Sequence, residues 1–141
     1  MKKTLLLLPF LLNTAYATQL FNYQDTIDAV QNGKKITYVV DWDKCKLNVP
    51  DVTPNLATSY SPDHVIIDKS GFMGSRGMKY SHIVSQAPKL GPVNQAFVYK
   101  FTKDNELHVT NRFLDPVTFN EKMPAIEAVC QLNDGFKVFA D

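Results

Sequence analysis

Apolar and polar side chains alternate one by one over several stretches of this chain, and one short stretch near the start has helical spacing instead. Tyr23, Ile27 and Val30 recur at intervals of three and four residues, behind Asn22 with an acid at Asp25 and ahead of Gly33. A side-chain acceptor before the first turn and a glycine after the last are helix boundaries, so a helix is predicted over 23–32. From Ile36 the period changes to two: Ile36, Tyr38, Val40 and Trp42 alternate with Thr37, Val39, Asp41 and Asp43. This predicts a strand over 36–43 with its even-numbered face buried. Cys45 falls on the polar side of that count, so the strand must end or bulge near Asp43 and Lys44 if the thiol is to turn inward.

The middle of the chain has weaker periodicity. Residues 46–63 carry Pro50, Pro54 and Pro62 among Asn, Asp, Ser and Thr, and read as an irregular excursion. Residues 64–68 (HVIID) read as a short strand, 70–78 (SGFMGSRGM) as a glycine-rich connection, and 79–86 as a strand alternating through Tyr80, His82 and Val84. Pro88, Gly91 and Pro92 follow that element as breakers.

Two hairpins can be registered beyond this point. A three-residue loop Lys103-Asp104-Asn105 with Asn105 in the left-handed region places Phe101 opposite Leu107 and Tyr99 opposite Val109, with Phe97 continuing the apolar face. A two-residue loop would put Phe101 opposite His108 and mix the faces, so the longer loop is preferred. A second loop, Asn133-Asp134-Gly135 with Gly135 at positive φ, places Leu132 opposite Phe136, Cys130 opposite Val138 and Ala128 opposite Ala140. The predicted class is α+β: a short N-terminal helix packed on a largely antiparallel sheet of about five to seven strands, flat or curled toward a partial barrel.

The first seventeen residues stand outside this scheme. Lys2 and Lys3, the apolar run over 4–12 and Ala15-Tyr16-Ala17 form the pattern of a cleavable export signal, cut between Ala17 and Thr18. The run is too short to span a bilayer, and no later segment approaches spanning length. Residues 1–17 are therefore expected to be a signal peptide, 18–141 a single domain, and the product secreted or periplasmic. Two lysines leave with the signal, so 13 of the 15 basic residues face 14 acidic ones. That balance argues against nucleic acid or anionic lipid as a partner of the whole molecule, although a local basic patch is compatible with it.

Cys45 and Cys130 both lie in the mature part, 85 residues apart. An exported chain with two thiols can form one intramolecular bridge. The competing roles fit poorly, since redox pairs usually sit as Cys-x-x-Cys and a zinc site needs clustered histidines.

The signal pattern, Leu20-Phe21-Asn22-Tyr23-Gln24-Asp25, a short helix ending at Gly33-Lys34, a strand from Ile36 running into Cys45, and a late strand with Cys130 together resemble the VirK family of bacterial exported proteins. The resemblance implies a small secreted or periplasmic, virulence-associated protein of a host-associated bacterium, with no settled biochemical activity and no catalytic residues to carry over. Residues 46–77 match no part of that pattern.

Chemistry must therefore be sought directly. His64, His82 and His108 are isolated from one another, without the spacing of a metal site, and His108 is expected on a polar face with Lys100 and Thr110. Ser81 and His82 are adjacent in a strand and point to opposite faces, so they do not form a nucleophile and base pair. Asp41 and Asp43 share a strand face about 7 Å apart, a spacing shared by cation sites and by solvated faces; the solvated reading is preferred. Residues 71–79 could cradle an anion through exposed amides with Arg76 and Lys79, but a phosphate loop needs a following helix, where a strand is expected.

Phe72, Met73, Arg76, Met78 and Lys79 are instead expected as a contact loop, because apolar side chains at a loop tip mark binding surfaces. No catalytic residue, cofactor or metal is expected. The leading function is a non-enzymatic interaction protein using 46–63 and 70–78 against an unknown protein or small-molecule partner. A periplasmic small-molecule carrier, which an aromatic share of 11% permits, and an enzyme of unfamiliar type are the alternatives. Oligomeric state is not legible in the pattern.

Overall fold

Asn22 caps the helix as its position foretells: its side chain accepts from the Asp25 amide and donates to the Asp25 carboxylate. A computed structural model describes residues 16–49, 54–83 and 89–141, and in it helix α1 spans Tyr23–Gln31 and stops at Gly33, which has φ +77°. The export signal, apart from Tyr16 and Ala17, lies outside the described residues, as do Pro50 and the end of the strand expected over 79–86. α1 buries Thr26, Ile27 and Ala29 against two strands and sets Tyr23 edge-on against Phe101, ring centroids 5.2 Å apart.

The strands are β1 (Thr18–Leu20), β2 (Ile36–Asp41), β3 (Lys46–Leu47), β4 (Ala57–Tyr60), β5 (Val65–Asp68), β6 (Phe72–Ile83), β7 (Gly91–Thr102), β8 (Glu106–Leu114), β9 (Ile126–Gln131) and β10 (Phe136–Ala140). Every named pairing is antiparallel, and the strands form two sheets, ordered β1-β10-β2-β4 and β3-β9-β8-β7-β6-β5. Among the described residues neither sheet closes on itself. The expected single sheet is thus two, facing each other across a core of Tyr38, Val40, Phe136 and Val138 from one and Met73, Phe101, Leu107 and Cys130 from the other. Rings fill the space between them: Tyr38 stacks on Tyr99 at 5.7 Å, Tyr60 on Tyr99 at 4.7 Å, and Phe101 meets Phe136 edge-on at 5.3 Å.

The even face of β2 is buried as its alternation requires, and a 3-10 turn over Trp42–Lys44 ends the strand two residues early, turning Cys45 inward. The first hairpin has the expected register, Phe101 opposite Leu107 and Tyr99 opposite Val109, with Asn105 at φ 61°.

The second hairpin does not form as expected. β10 leaves β9 and runs between β1 and β2 in the other sheet, with only an isolated bridge between Leu132 and Phe136. Both edges of β9 are already taken, by β8 and by β3, and β3 is held there because Cys45 just before it is bonded to Cys130. Asn133, not Gly135, takes the positive φ of 65°. Gly135 is needed for a different reason: a Cβ there would lie 3.2 Å from the Cys130 Cβ and the Lys44 carbonyl oxygen, and 3.3 Å from the Cys45 sulfur.

Two other expectations are corrected. The excursion over 46–63 contains β3 and β4; β4 lacks apolar alternation because only Tyr60 of its residues packs on the core, and it is a strand by virtue of pairing with β2. The glycine-rich connection over 70–78 is the first half of the twelve-residue β6, paired with β7 from end to end. Its glycines make room for rings. Phe72 lies along Gly74, and a Cβ at Gly77 would meet Phe97 at 2.5 Å.

Candidate functional site

Because β6 is a strand, the five residues expected to share a contact loop divide between two faces. Met73 points into the core and is fully buried, and Lys79 projects from that same side farther along, where the strand is exposed. Phe72, Arg76 and Met78 share the opposite, outward face of the six-stranded sheet. On that face stand Ile66, Met78, Tyr80 and Val98, exposed by 48%, 58%, 63% and 45%. Four large apolar side chains on one sheet face is more than isolated surface hydrophobics account for.

Register explains how they come together. Arg76 lies opposite Val98, Met78 opposite Ala96 and Tyr80 opposite Asn94, while Val98 lies opposite Thr110 and Ala96 opposite Arg112. Two shallow depressions of about 570 and 470 Å³ run along this face and share Arg76 and Val98. The first continues to Met78 and Arg112, the second to Ile66 and His64. Lys100 sits over the Phe72 ring, its Nζ 4.5 Å from the centroid.

The charge on this part of the molecule is one-sided. Between Asp68 and Asp104 the chain has no carboxylate, yet it carries Lys69, Arg76, Lys79, Lys89, Lys100 and Lys103. β6 and β7 therefore form a basic lobe in a nearly neutral protein. Arg112 on neighbouring β8 is paired with Glu121 at 3.5 Å, whereas Arg76 has no ion pair among the described residues. Asp68, at the margin, is held below its ordinary pKa by the Ser70 hydroxyl and amide and then by Lys100. This asymmetry was legible in the sequence as a stretch without Asp or Glu, and whole-chain charge concealed it.

The remaining candidates have structural roles or stand apart. Cys45 and Cys130 form the expected disulfide. Asp41 pairs with Lys44 at 3.3 Å, and the Asp43 carboxylate accepts from the Asn55 amide, so the two acids brace the 3-10 turn. His64, His82 and His108 are exposed, and His108 lies 3.4 Å from Glu106. No group of three or more His, Cys, Asp or Glu is placed to hold a metal among the described residues. The interior tyrosines are poor acids: burial, then neighbouring Tyr60, pushes Tyr99 up to about 12, and burial raises Tyr38 further. The space that a carried ligand would need between helix and sheet is occupied by Tyr23, Phe101 and Phe136.

Comparison with known proteins gives two matches. A family model described as VirK protein matches residues 19–119. The fold is similar to the crystal structure of a VirK family protein from Legionella pneumophila, with a TM-score of 0.77 at 21% identity, covering 87% of this chain and 99% of that one. Among curated proteins none matches.

Proposed function

The chain belongs to the VirK family, and from that premise we propose that it is an exported, virulence-associated, non-enzymatic binding protein whose contact surface is the outward face of β5–β8. The carrying observation is the grouping of exposed Ile66, Met78, Tyr80 and Val98 on one sheet face with Arg76, which has no ion pair among the described residues. Residues 18–141 act in this reading as one domain. Export is supported by the N-terminal signal pattern and by a disulfide, which persists in oxidising compartments. Among the described residues, strand pairing starts at Thr18, the first residue after the expected cut. Among the described residues no helix is long and apolar enough to cross a membrane.

The test compares oxidised wild-type protein with a Met78→Asp, Val98→Asp double variant, each cross-linked in bacterial and host extracts after their melting curves are shown to agree. A partner enriched by wild type and lost from the variant supports this face. Equal capture by both overturns it. Intact mass from the native host is expected to begin at Thr18 with both thiols oxidised, and an uncut chain with free thiols refutes export.

A further inference from the structure

β6 is three times as long as its cover on one side. It pairs with β7 over all of Phe72–Ile83 but with β5 only over 72–75, so residues 77–83 have an open edge among the described residues. The Tyr60 hydroxyl donates to the Arg76 carbonyl at 3.0 Å and closes the edge at that point. Beyond it the backbone groups alternate. The Gly71 carbonyl accepts from Lys103 on the β7 side while the Arg76 carbonyl faces away from β7, and the pairing with β7 is unbroken. Even-numbered residues therefore turn outward, so Met78, Tyr80 and His82 present N–H and C=O groups to the open side.

We infer that this edge receives an extended, acidic segment of a partner protein, which adds a strand beside β6 over residues 77–83 in line with β5. The inference rests on the reading of the outward β6–β7 face as the contact surface, and names what binds there. An unpaired strand edge is a template for another backbone, and only a polypeptide matches its alternating donors and acceptors; a lipid headgroup or a nucleic acid does not. Exposed Met78 and Tyr80 flank the edge on one face and give alternate side chains of the incoming strand an apolar place to rest. Charge selects the occupant. Arg76 and Lys79 lie on β6 itself, Lys100 lies on the neighbouring β7, and these two strands contain no carboxylate. A second copy brings the same lobe and is repelled, and Lys79 on the edge is the usual device against such self-pairing. An acidic strand is attracted.

The probes are a synthetic peptide alternating Glu and Val, its twin alternating Lys and Val, and phosphatidylglycerol vesicles. Backbone amide exchange of the oxidised protein is the readout. The Glu peptide is expected to slow exchange at Met78, Tyr80 and His82 by about fivefold or more, the effect of one net hydrogen bond, and to lose that effect in high salt. The Lys peptide leaves those amides unchanged. No protection by the Glu peptide, equal protection by both peptides, or binding to vesicles alone overturns the inference.

A variant pair gives a second test. Proline in an edge strand removes only the outward N–H, so Tyr80→Pro is expected to bind the Glu peptide more weakly than Tyr80→Ala, and equal binding refutes backbone pairing. If Met78→Asp, Val98→Asp abolishes partner capture while Tyr80→Pro captures as well as Tyr80→Ala, the edge is wrong and the face is right. If neither pair of variants affects capture, the face itself is wrong.

Discussion

Removing the disulfide by Cys45→Ala with Cys130→Ala tests how the two sheets are joined. The bridge closes a span of 85 residues at the corner where the chain passes from one sheet to the other twice, from β2 to β3 and from β9 to β10. Loop closure of that length is worth about 4.5 kcal/mol in the chain-entropy treatment, and bridges commonly deliver about 2–4 kcal/mol. Cys130 is fully buried, so alanine there also leaves a small void that adds to the cost. For a domain of this size a loss of about 3–4 kcal/mol lowers the melting temperature by roughly 10–15 °C. Thermal melting followed by circular dichroism, with and without reductant, should show the variant coinciding with the reduced wild type. The two-residue β3 should be the first element released, seen as faster amide exchange at Lys46, Asn48 and Val129. A drop of less than about 3 °C, or β3 amides that stay protected, refutes the idea that the bridge holds this corner.

Gly135→Ala is expected to cost about 1–2 kcal/mol in denaturant melts, because the new methyl meets the disulfide and the Lys44 carbonyl, neither of which can yield. Gly77→Ala is expected to cost about 1–3 kcal/mol by displacing Phe97 from its edge-on contact with Tyr60, and a neutral result means that ring is free to move. Asn105 combines φ 61° with acceptance from the Tyr23 amide at 2.8 Å, so Asn105→Ala should lose about 1–2 kcal/mol while Asn105→Gly loses less, having no strain to restore. The Asp115 carboxylate is held below its ordinary pKa by the Thr118 and Val117 amides, so the folded state gains from its ionisation above the ordinary carboxylate range and loses that gain as pH falls through the lowered pKa. Asp115→Asn should be less stable than wild type at neutral pH, and the difference should shrink in acid; a difference independent of pH refutes the assignment.

The candidate site was half legible. Phe72, Arg76 and Met78 were visible as apolar and basic residues too close together to be ordinary loop, and the missing carboxylates between Asp68 and Asp104 were there to be counted. Their common face was not visible, because Gly74 and Gly77 read as loop residues. Glycine's strand role here depends on Phe72 and Phe97, the latter twenty residues away in the chain. Ile66 and Val98 join the surface only through pairing, which places separate segments side by side.

Sequence by itself determined the elements whose causes are local. Asn22 and Asp25 cap α1, the Lys103-Asp104-Asn105 loop sets the β7–β8 register, and the alternation from Ile36 chooses the buried face of β2. Tertiary structure alone decided which strands became neighbours. Phe136, Val138 and Ala140 would be buried equally well beside β9 or beside β2, and alternation assigns a face without naming the adjacent strand. The choice fell to β2 because β3, tethered through Cys45, already occupies the free edge of β9.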